Sequence, residues 1–311
     1  MNLLEWMQYI RGKRCAVVGL GVSNRPLIGF LLMRGAIVCA RDRKTREELG
    51  DVIDELEKQG ATFKLGESYL DDLDEEIIFR SPGMRPDIPA FAQAVERGAT
   101  LTSEMELFFE LTPATVIGIT GSDGKTTSTT LTGLILSQEY KNDEGTRIYV
   151  GGNIGTPLLP MVADMTERDF AVVELSSFQL QGAKHSPHVS VITNVTPNHL
   201  NWHTDMEEYT QAKANAFRNA PCRRVVLNIE NRITAELARD IDIPVTYFSS
   251  RKSAHTDFPL RDCDSAIYVR EGKIYLWNNG SEHDIMQDGQ LLLRGRHNLE
   301  NLMSAIALTF E

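Results

Sequence analysis

Cysteine is scarce in this sequence, and its spacing argues against two common uses of the residue. The four cysteines lie far apart and form no Cys-x-x-Cys pair: Cys15, Cys39, Cys222 and Cys263. A zinc site needs closely spaced ligands, and a disulfide-stabilised domain carries more cysteines in a shorter chain. We therefore expect reduced thiols in a cytoplasmic protein, with Cys15 and Cys39 buried inside strands.

Positive charge and long apolar runs are also lacking. The net charge is -11 at pH 7, so no general basic surface is available to neutralise the phosphates of a nucleic acid or an anionic membrane. No apolar run approaches the roughly 20 residues of a transmembrane helix. In segment 1–14 the basic residues follow the apolar stretch, the reverse of a secretory signal. The composition predicts a cytoplasmic protein with no nucleic-acid or membrane partner, and no obligate protein partner can be read from the sequence.

The chain does contain enough apolar material for two globular domains, since 42% of its 311 residues are hydrophobic. Strand-like and helix-like segments alternate, which predicts parallel sheets covered by helices. The predicted strands are Cys15–Val18, Ile37–Ala40, Glu76–Phe79, Thr115–Ile119, Ala171–Leu175, Val189–Asn194 and Arg224–Asn228. The predicted helices are Pro26–Arg34, Arg46–Gln59, Ala90–Arg97, Thr127–Ser137, Met206–Asn219 and Asn298–Phe310. Between about 262 and 293, short alternating runs predict a hairpin around Glu271-Gly272.

The most informative stretch is 116–127, Val-Ile-Gly-Ile-Thr-Gly-Ser-Asp-Gly-Lys-Thr-Thr. A β-branched strand leads into a glycine-bearing turn, and a Lys-Thr pair begins a helical segment. Backbone N–H groups of such a turn point toward an anion, Lys125 adds positive charge, and the Thr126 hydroxyl can ligate Mg²⁺. The general P-loop pattern has glycine where Ile119 stands, and this chain supplies it at Gly121 instead. The stretch predicts a nucleoside triphosphate site.

A second glycine-bearing turn, Gly19-Leu20-Gly21-Val22-Ser23-Asn24, follows the first strand. With Asp42-Arg43 after the second strand, the layout is close to a dinucleotide-binding fold, but Asn24 occupies the place of the third glycine. The turn is weak evidence for NAD or FAD, and it leaves a phosphate or uridine site and a purely structural turn as equal alternatives. Ser81-Pro82-Gly83 ends another strand at the same edge.

These features predict an α/β architecture with a domain boundary near Pro113. Residues 1–112 would form a Rossmann-like domain, and residues 113–311 a P-loop-type α/β ATPase domain with a small β-rich insertion. The last predicted helix reaches the end of the sequence without a cap, so we expect the sequence to be a fragment.

Polar residues also follow the later strands. Glu174 ends a buried-strand candidate, where a carboxylate can hold Mg²⁺ beside a triphosphate. His199 follows the next strand in Thr-Pro-Asn-His-Leu-Asn-Trp-His, and Lys213 lies in a helical stretch. By pattern alone, Lys213 is an ordinary solvated lysine. Three further histidines are predicted to be structural rather than metal ligands: His185, His188 and His203.

Six motifs in this order resemble those of the Mur ligase family. They are Thr120-Gly-Ser-Asp-Gly-Lys-Thr-Thr127, Gly152-Asn-Ile-Gly155, Glu174-Leu-Ser-Ser-Phe-Gln-Leu180, Asn194-Val-Thr-Pro-Asn-His199, Tyr209-Thr-Gln-Ala-Lys213 and Gly295-Arg-His-Asn-Leu-Glu-Asn301. The resemblance extends over nearly the whole chain. It implies a UDP-binding N-terminal domain and a central ATPase domain, while the family's C-terminal domain has no counterpart here. Such a fragment is expected to bind ligands but hardly to turn over.

The resemblance also implies roles for individual residues. ATP would contact Gly121, Ser122, Asp123, Gly124, Lys125, Thr126 and Thr127, with Asn298 and Asn301 near its adenine. The UDP moiety would contact Val22, Ser23, Asp42, Arg43, Ser81 and Gly83, and the muramoyl part would contact Asn153. One Mg²⁺ ion would be held by Thr126 and Glu174, and a second by His199 and a carbamylated Lys213.

Lys125, His199 and Lys213 would then be the catalytic residues. The sequence departs from several relatives at Asn198 and Asn201, where those relatives carry aspartate. Loss of these two charges affects the outer shell of the second metal site.

The activity implied by the resemblance is ATP-dependent amide formation in the synthesis of a peptidoglycan precursor. ATP would phosphorylate a carboxylate, and an amine would displace phosphate from the acyl phosphate. The run at 174–180 favours UDP-N-acetylmuramoyl-L-alanine and D-glutamate as the small-molecule substrates. The alternatives are another Mur ligase or a folylpolyglutamate synthetase-like ligase, a nicotinamide-dependent oxidoreductase, and a noncatalytic nucleotide-binding module.

Overall fold

A computed structural model of the chain describes residues 1–153, 155–287, 289 and 294–310. The protein has the α/β architecture predicted above and divides into two compact units. The first contains Met1–Pro113 and Thr156–Thr166, and the second contains Ala114–Gly155 and Glu167–Glu311. The predicted second domain thus includes a short segment, Thr156–Thr166, that the structure groups with the first unit. Within the described ranges, no helix combines the length and apolarity needed to cross a bilayer.

The first unit is built on a five-stranded parallel sheet with the order β3-β2-β1-β4-β5. This order places the first strand at the centre, as in the doubly wound folds that bind nucleotides. The strands are β1 Arg14–Val18, β2 Ile37–Asp42, β3 Thr62–Leu65, β4 Ile77–Arg80 and β5 Thr100–Thr102. The helices are α1 Leu3–Ile10, α2 Asn24–Met33, α3 Arg46–Leu49, α4 Asp51–Lys58, α5 Pro89–Glu96 and α6 Glu104–Leu111.

Among its described residues, the second unit contains a nine-stranded sheet of order β14-β13-β12-β11-β10-β9-β6-β8-β7. The strands are β6 Thr115–Thr120, β7 Ile148–Gly152, β8 Phe170–Glu174, β9 Val189–Ile192, β10 Arg224–Asn228, β11 Val245–Ser249, β12 Ser265–Arg270, β13 Lys273–Asn278 and β14 Ser281–Gln287. The helices are α7 Lys125–Glu139, α8 Ser177–Leu180, α9 Met206–Ala214, α10 Arg232–Leu237 and α11 Arg296–Thr309.

The predicted hairpin forms between β12 and β13. Glu271 and Gly272 both have positive φ, at 51° and 74°, as a two-residue turn of the right twist requires. β12 pairs in parallel with β11, and β14 pairs antiparallel with β13. The β-rich part of the chain therefore joins the main sheet as its edge. The end of the predicted alternating run, at 288 and 290–293, lies outside the described residues.

Two predicted helix boundaries are wrong. The helix expected over 46–59 is broken at Gly50, whose φ of 57° and ψ of -142° cannot continue a helix, so α3 and α4 are separate. The helix expected over 206–219 ends at Ala214. Four of the parallel strands were not predicted: β3, β5, β7 and β11. β3 and β5 are short, with four and three residues.

Parallel pairing places the functional ends of four strands side by side. In the second unit, β6 pairs with β8 on one side and β9 on the other, and β7 pairs with β8. Ile119 is opposite Glu174, and Thr120 is opposite Ile192. Because all four strands run the same way, the residues that follow them meet at one edge of the sheet.

Candidate functional site

The phosphate turn, Gly121–Gly124, connects β6 to α7 and can be built only with glycine at both ends. Gly124 has a φ of 81° and Gly121 a φ of 149°. A Cβ atom on Gly124 would lie 2.3 Å from Asn301 Oδ1, and one on Gly121 would lie 2.0 Å from Thr193 Oγ1. Left-handed backbone and close neighbours together exclude larger residues.

The N-terminus of α7 is open to an anion. No acidic side chain lies in its first turn, and no side chain caps it, so its first N–H groups and the positive end of the helix dipole stay available. The Lys125 ammonium donates to the carbonyls of Gly121 and Ser122, at 3.1 and 2.9 Å. These two acceptors hold the charge over the turn, where a phosphate could be its third partner.

Residues after β9 brace the phosphate turn from the side. The Asn194 side chain accepts from the Asp123 N–H at 3.0 Å and donates to the Asp123 carbonyl at 3.1 Å. Thr193 Oγ1 donates to the same carbonyl at 2.6 Å. Sequence reasoning did not single out Thr193 or Asn194 as site residues, although their position directly after a buried strand was a usable signal.

The structure brings together three residues proposed for the triphosphate and muramoyl side. Thr126 Oγ1 donates to Glu174 Oε2 at 2.8 Å, and Asn153 Nδ2 donates to Glu174 Oε1 at 2.9 Å. Glu174 is buried at the carboxyl end of β8. A hydroxyl and a carboxylate are oxygen ligands of the kind Mg²⁺ prefers.

No preformed metal cage surrounds these oxygens. Among the residues that the structure describes, no three His, Cys, Asp or Glu side chains group closely enough to hold a metal ion by themselves. Mg²⁺ usually keeps several waters and takes one or two protein oxygens together with substrate phosphates. The Thr126 and Glu174 oxygens fit that mode of binding.

The expectation from pattern alone that Lys213 is solvated is wrong. Lys213 is 1% exposed, its ammonium donates to the Gly121 carbonyl at 2.8 Å, and it lies 4.6 Å from the centre of the Tyr209 ring. Burial, together with the smaller effect of the Lys125 charge, lowers its pKa to about 7. α9 points this side chain toward the phosphate turn, which local sequence does not reveal.

His199 also lies near the Tyr209 ring. Its side chain is exposed, its φ is 55°, and its ring centroid is 6.3 Å from that of Tyr209 and 4.9 Å from that of Phe178. Partial desolvation lowers the pKa of His199, and the charges of Lys213 and Lys125 lower it further. The lowered pKa favours the neutral imidazole, which is the form that binds metals.

A cavity of about 470 Å³ opens beside the phosphate turn. Asn301 lines it and is largely buried, with its Oδ1 accepting from Ser128 Oγ at 3.4 Å. Asn298 is not part of the lining, and its side chain donates to the Arg294 carbonyl at 2.9 Å. The residues that line the cavity are Asp123, Gly124, Thr127, Thr193, Asn194, Phe248, His297, Glu300 and Asn301.

In the first unit, Asn24 takes over the packing at the glycine-bearing turn. Its buried amide donates to the carbonyls of Val18 and Gly19, at 3.2 and 2.8 Å. The Asp42 carboxylate accepts from the Leu20 N–H at 2.6 Å. A Cβ atom on Gly19 would lie 2.8 Å from Ser81 Cβ, so the ends of β1, β2 and β4 meet closely.

The remaining residues proposed for this site are accessible to a ligand. Val22 is 77% exposed, Ser23 and Ser81 are half-buried, and Arg43 and Gly83 are exposed. The carboxyl edge of the first sheet therefore presents an apolar side chain and a hydroxyl from the turn, and the Arg43 guanidinium from the end of β2.

Comparison with known proteins identifies both units. A family model described as the Mur ligase middle domain matches residues 119–309, and one described as the N-terminal domain of MurD-like Mur ligases matches residues 13–103. The chain is 42% identical to UDP-N-acetylmuramoylalanine–D-glutamate ligase of Ruminiclostridium cellulolyticum, over 100% of this chain and 64% of that protein. It is 43% identical to the enzyme of the same name from Clostridium kluyveri, over 98% of this chain and 63% of that protein. The chain thus spans just under two thirds of these relatives.

Solved structures show the same fold at low sequence identity. The UDP-N-acetylmuramate:L-alanyl-gamma-D-glutamyl-meso-diaminopimelate ligase of Neisseria meningitides superposes with a TM-score of 0.57 at 18% identity, covering 96% of this chain and 93% of that one. The UDP-N-acetylmuramate-alanine ligase of Thermotoga maritima superposes with a TM-score of 0.50 at 20% identity, covering 95% and 64%.

Adding one methyl group should test how tightly the phosphate turn is packed. We expect Gly280→Ala, with φ 75° and no atom within 4 Å of its added Cβ, to lower the free energy of unfolding by only about 1–2 kcal/mol through left-handed strain. Gly124→Ala has matched φ but meets Asn301, so it should cost a further ~1–3 kcal/mol from overpacking. Urea unfolding measures both, and Asn301→Ala should reduce the difference. Equal losses at Gly124 and Gly280 would contradict the close contact.

Proposed function

The chain belongs to the Mur ligase family, and we propose that it binds ATP and UDP-N-acetylmuramoyl-L-alanine for the ligation of D-glutamate to the alanyl carboxylate. The observation that carries the proposal is the convergence of Lys125, Thr126, Glu174 and Asn153 on the open N-terminus of α7. This arrangement supplies positive charge and oxygen ligands where a triphosphate would meet an acceptor carboxylate. The related enzymes bear the name of this reaction.

The phosphate turn would hold the triphosphate by charge and by backbone donors. Free N–H groups at the start of α7 and the Lys125 ammonium would contact the β- and γ-phosphates. The adenine would then occupy the 470 Å³ cavity beside Gly124 and Asn301. Asn301 is the better supported of the two predicted adenine contacts, since Asn298 turns toward the Arg294 carbonyl.

Two Mg²⁺ ions would be held in different ways. Thr126 and Glu174 would hold the first, and Asn153 would orient the Glu174 carboxylate while facing the muramoyl substrate. His199 and a carbamylated Lys213 would hold the second. When bound, the ions would neutralise negative charge on the transferred phosphoryl group.

Lys213 would gain its carboxylate-like group from CO₂. The neutral amine forms a nitrogen–carbon bond with CO₂ and loses a proton to water, which yields a carbamate. Its burial against Gly121 and Tyr209 favours the neutral amine that this reaction needs, because a buried ammonium is costly. The carbamate would present two oxygens at the phosphate turn.

Ligation would proceed in two steps. The alanyl carboxylate takes the γ-phosphoryl group of ATP, which converts a poor electrophile into an acyl phosphate. The amine of D-glutamate then attacks the carbonyl carbon and phosphate leaves. Lys125 and the backbone donors of the turn would stabilise charge and align the reacting oxygens, and positioning of this kind accounts for most catalysis of phosphoryl transfer.

The first unit would bind the UDP moiety at its glycine-bearing turn. Arg43 and the backbone around Ser23 would meet phosphate, and Asp42, which accepts from the Leu20 N–H, would hold the turn. We assign the reaction to the cytoplasm, where ATP and UDP-linked precursors are available. The four free cysteines agree with a reducing compartment.

ATP binding by this chain should depend on Lys125. We expect Lys125→Ala to weaken Mg-ATP binding by about 1.5–3 kcal/mol, or roughly tenfold or more, because it removes one charge-assisted contact to phosphate. Isothermal titration calorimetry measures the affinity, and chelation of Mg²⁺ should weaken binding in the same way. Lys141→Ala, just beyond the end of α7, removes an exposed lysine and serves as the control. Unchanged affinity in Lys125→Ala would remove the turn from the site.

The first unit should bind UDP-N-acetylmuramoyl-L-alanine and not NADH, since Asn24 replaces the third glycine of the dinucleotide pattern. Thermal shift and NMR titration with both ligands test this expectation, because a ligand that binds the native state raises its melting temperature. Arg43→Ala should weaken the response to the UDP compound, and the neighbouring Lys44→Ala should not. Binding of NADH with no response to the UDP compound would favour an oxidoreductase instead.

Carbamylation of Lys213 should be visible without turnover. In carbon-13-labelled bicarbonate, we expect the chain to show one carbamate carbonyl resonance that disappears in Lys213→Ala and persists in Lys141→Ala. Burial and a lowered pKa keep the amine available for CO₂ at neutral pH. A resonance that survives in Lys213→Ala, or none in the unaltered chain, would contradict the carbamate.

A further inference from the structure

A buried imidazole that the proposed reaction does not use lies next to the His199 loop. His203 is 1% exposed, and its ring centroid lies 5.7, 4.7 and 5.1 Å from those of Phe178, Trp202 and Tyr209. Burying a polar ring costs free energy unless its nitrogens face suitable partners. The groups around those nitrogens therefore indicate what the ring does.

The two ring nitrogens face two different helices. Nε2 forms a 2.9 Å hydrogen bond with Ser177 Oγ at the start of α8. Nδ1 lies 3.6 Å from Glu208 Oε2 in the first turn of α9. α8 begins just after Glu174, and α9 carries Lys213 one turn and a half further along. The ring thus connects the segments that carry two of the proposed metal ligands.

The main chain of His203 contacts the third proposed metal ligand, His199. Its N–H donates to the His199 carbonyl at 3.0 Å. His199 has a φ of 55°, a left-handed conformation that is unfavourable for residues other than glycine and persists only where surrounding contacts impose it. The buried ring at the other end of this turn is such a contact.

The partners of the ring are themselves fixed. Glu208 Oε2 accepts from the Thr204 N–H at 2.6 Å and from Thr204 Oγ1 at 3.2 Å, and Glu208 Oε1 accepts from Gln181 Nε2 at 3.2 Å. Ser177 is the first residue of α8, and a capping box formed by Ser176 and Gln179 stabilises the N-terminus of that helix. Connected polar networks of this kind make a buried region rigid.

We propose that His203 is a positioning residue for the second metal site, holding the His199 turn against α8 and α9 so that His199 and Lys213 face the same point. It touches neither nucleotide nor metal and acts through His199 and α9. The inference rests on the proposed function for the identity of the site. The connection between the three segments rests on the contacts alone.

Two variants separate the polar contacts of the ring from its bulk. His203→Phe keeps an aromatic ring among Phe178, Trp202 and Tyr209 and removes both polar contacts. His203→Gln keeps a group that can bond Ser177 and replaces the ring. His283→Phe, an exposed histidine in β14, is the matched control.

Hydrogen exchange and metal titration provide the measurements. In His203→Phe, the amides of His203 and Thr204 should exchange faster, while His203→Gln restores part of the protection and His283→Phe changes nothing. With ATP present, electron paramagnetic resonance of Mn²⁺ should show the second equivalent weakened by about 10- to 100-fold, the usual effect of losing a residue that orients a ligand. ATP affinity should stay unchanged.

Each outcome bears on one proposal. Unchanged exchange and Mn²⁺ binding in His203→Phe would overturn the positioning role, and so would a parallel loss of ATP and Mn²⁺ affinity, which indicates general damage. If His203→Phe does not fold, His203→Gln decides by the same two readouts. If the unaltered chain with ATP binds a single Mn²⁺, the two-metal part of the proposed function fails and the role at a second metal site fails with it, while faster exchange at residues 203 and 204 in His203→Phe would still show that the ring holds the His199 turn.

Discussion

The phosphate turn is enclosed so closely that a single methyl group does not fit at either end, and the site of the second unit depends on this packing. Thr193 packs against Gly121, and Asn301 packs against Gly124. Ser122 Oγ is shared between the main chain of Thr196 and the Tyr209 hydroxyl. The ends of β6 and β9 and the faces of α9 and α11 therefore meet at one turn. Contacts that fix the turn before a ligand arrives reduce the entropy lost on binding.

Charge is concentrated at this turn in a chain that is acidic overall, with a net charge of -11. Lys125 and Lys213 both donate to the Gly121 carbonyl, so two ammonium groups share one acceptor. Their repulsion adds to the burial that lowers the pKa of Lys213 to about 7. A triphosphate or a carbamate would each relieve this repulsion. Local concentration of this kind explains how an acidic protein can hold an anion without a basic surface.

The glycine-bearing turn of the first unit is also closely packed, but by different residues. Where the dinucleotide pattern uses a third glycine for close helix packing, Asn24 fills the space, and its amide satisfies the carbonyls of Val18 and Gly19. The Asp42 carboxylate accepts a hydrogen bond from the Leu20 N–H. The Leu20 N–H is thus already engaged and the helix packing departs from the dinucleotide pattern, which is the physical reason to expect a ligand other than NAD or FAD at this turn.

Local sequence determined the features that depend on neighbouring residues. Alternating apolar segments determined the parallel strands of the two sheets, and parallel pairing places Glu174 and the phosphate turn at the same edge of the second sheet. The break at Gly50 was not predicted, because the composition of residues 46–59 favours one continuous helix and a single backbone conformation interrupts it. Tertiary structure alone decided which polar side chains are buried. Lys213 meets a carbonyl 92 positions earlier in the chain, and His203 contacts Ser177 at the start of α8 and Glu208 in α9. A polar group becomes a buried contact only when distant segments supply its partner, because desolvation without that partner costs more than packing returns.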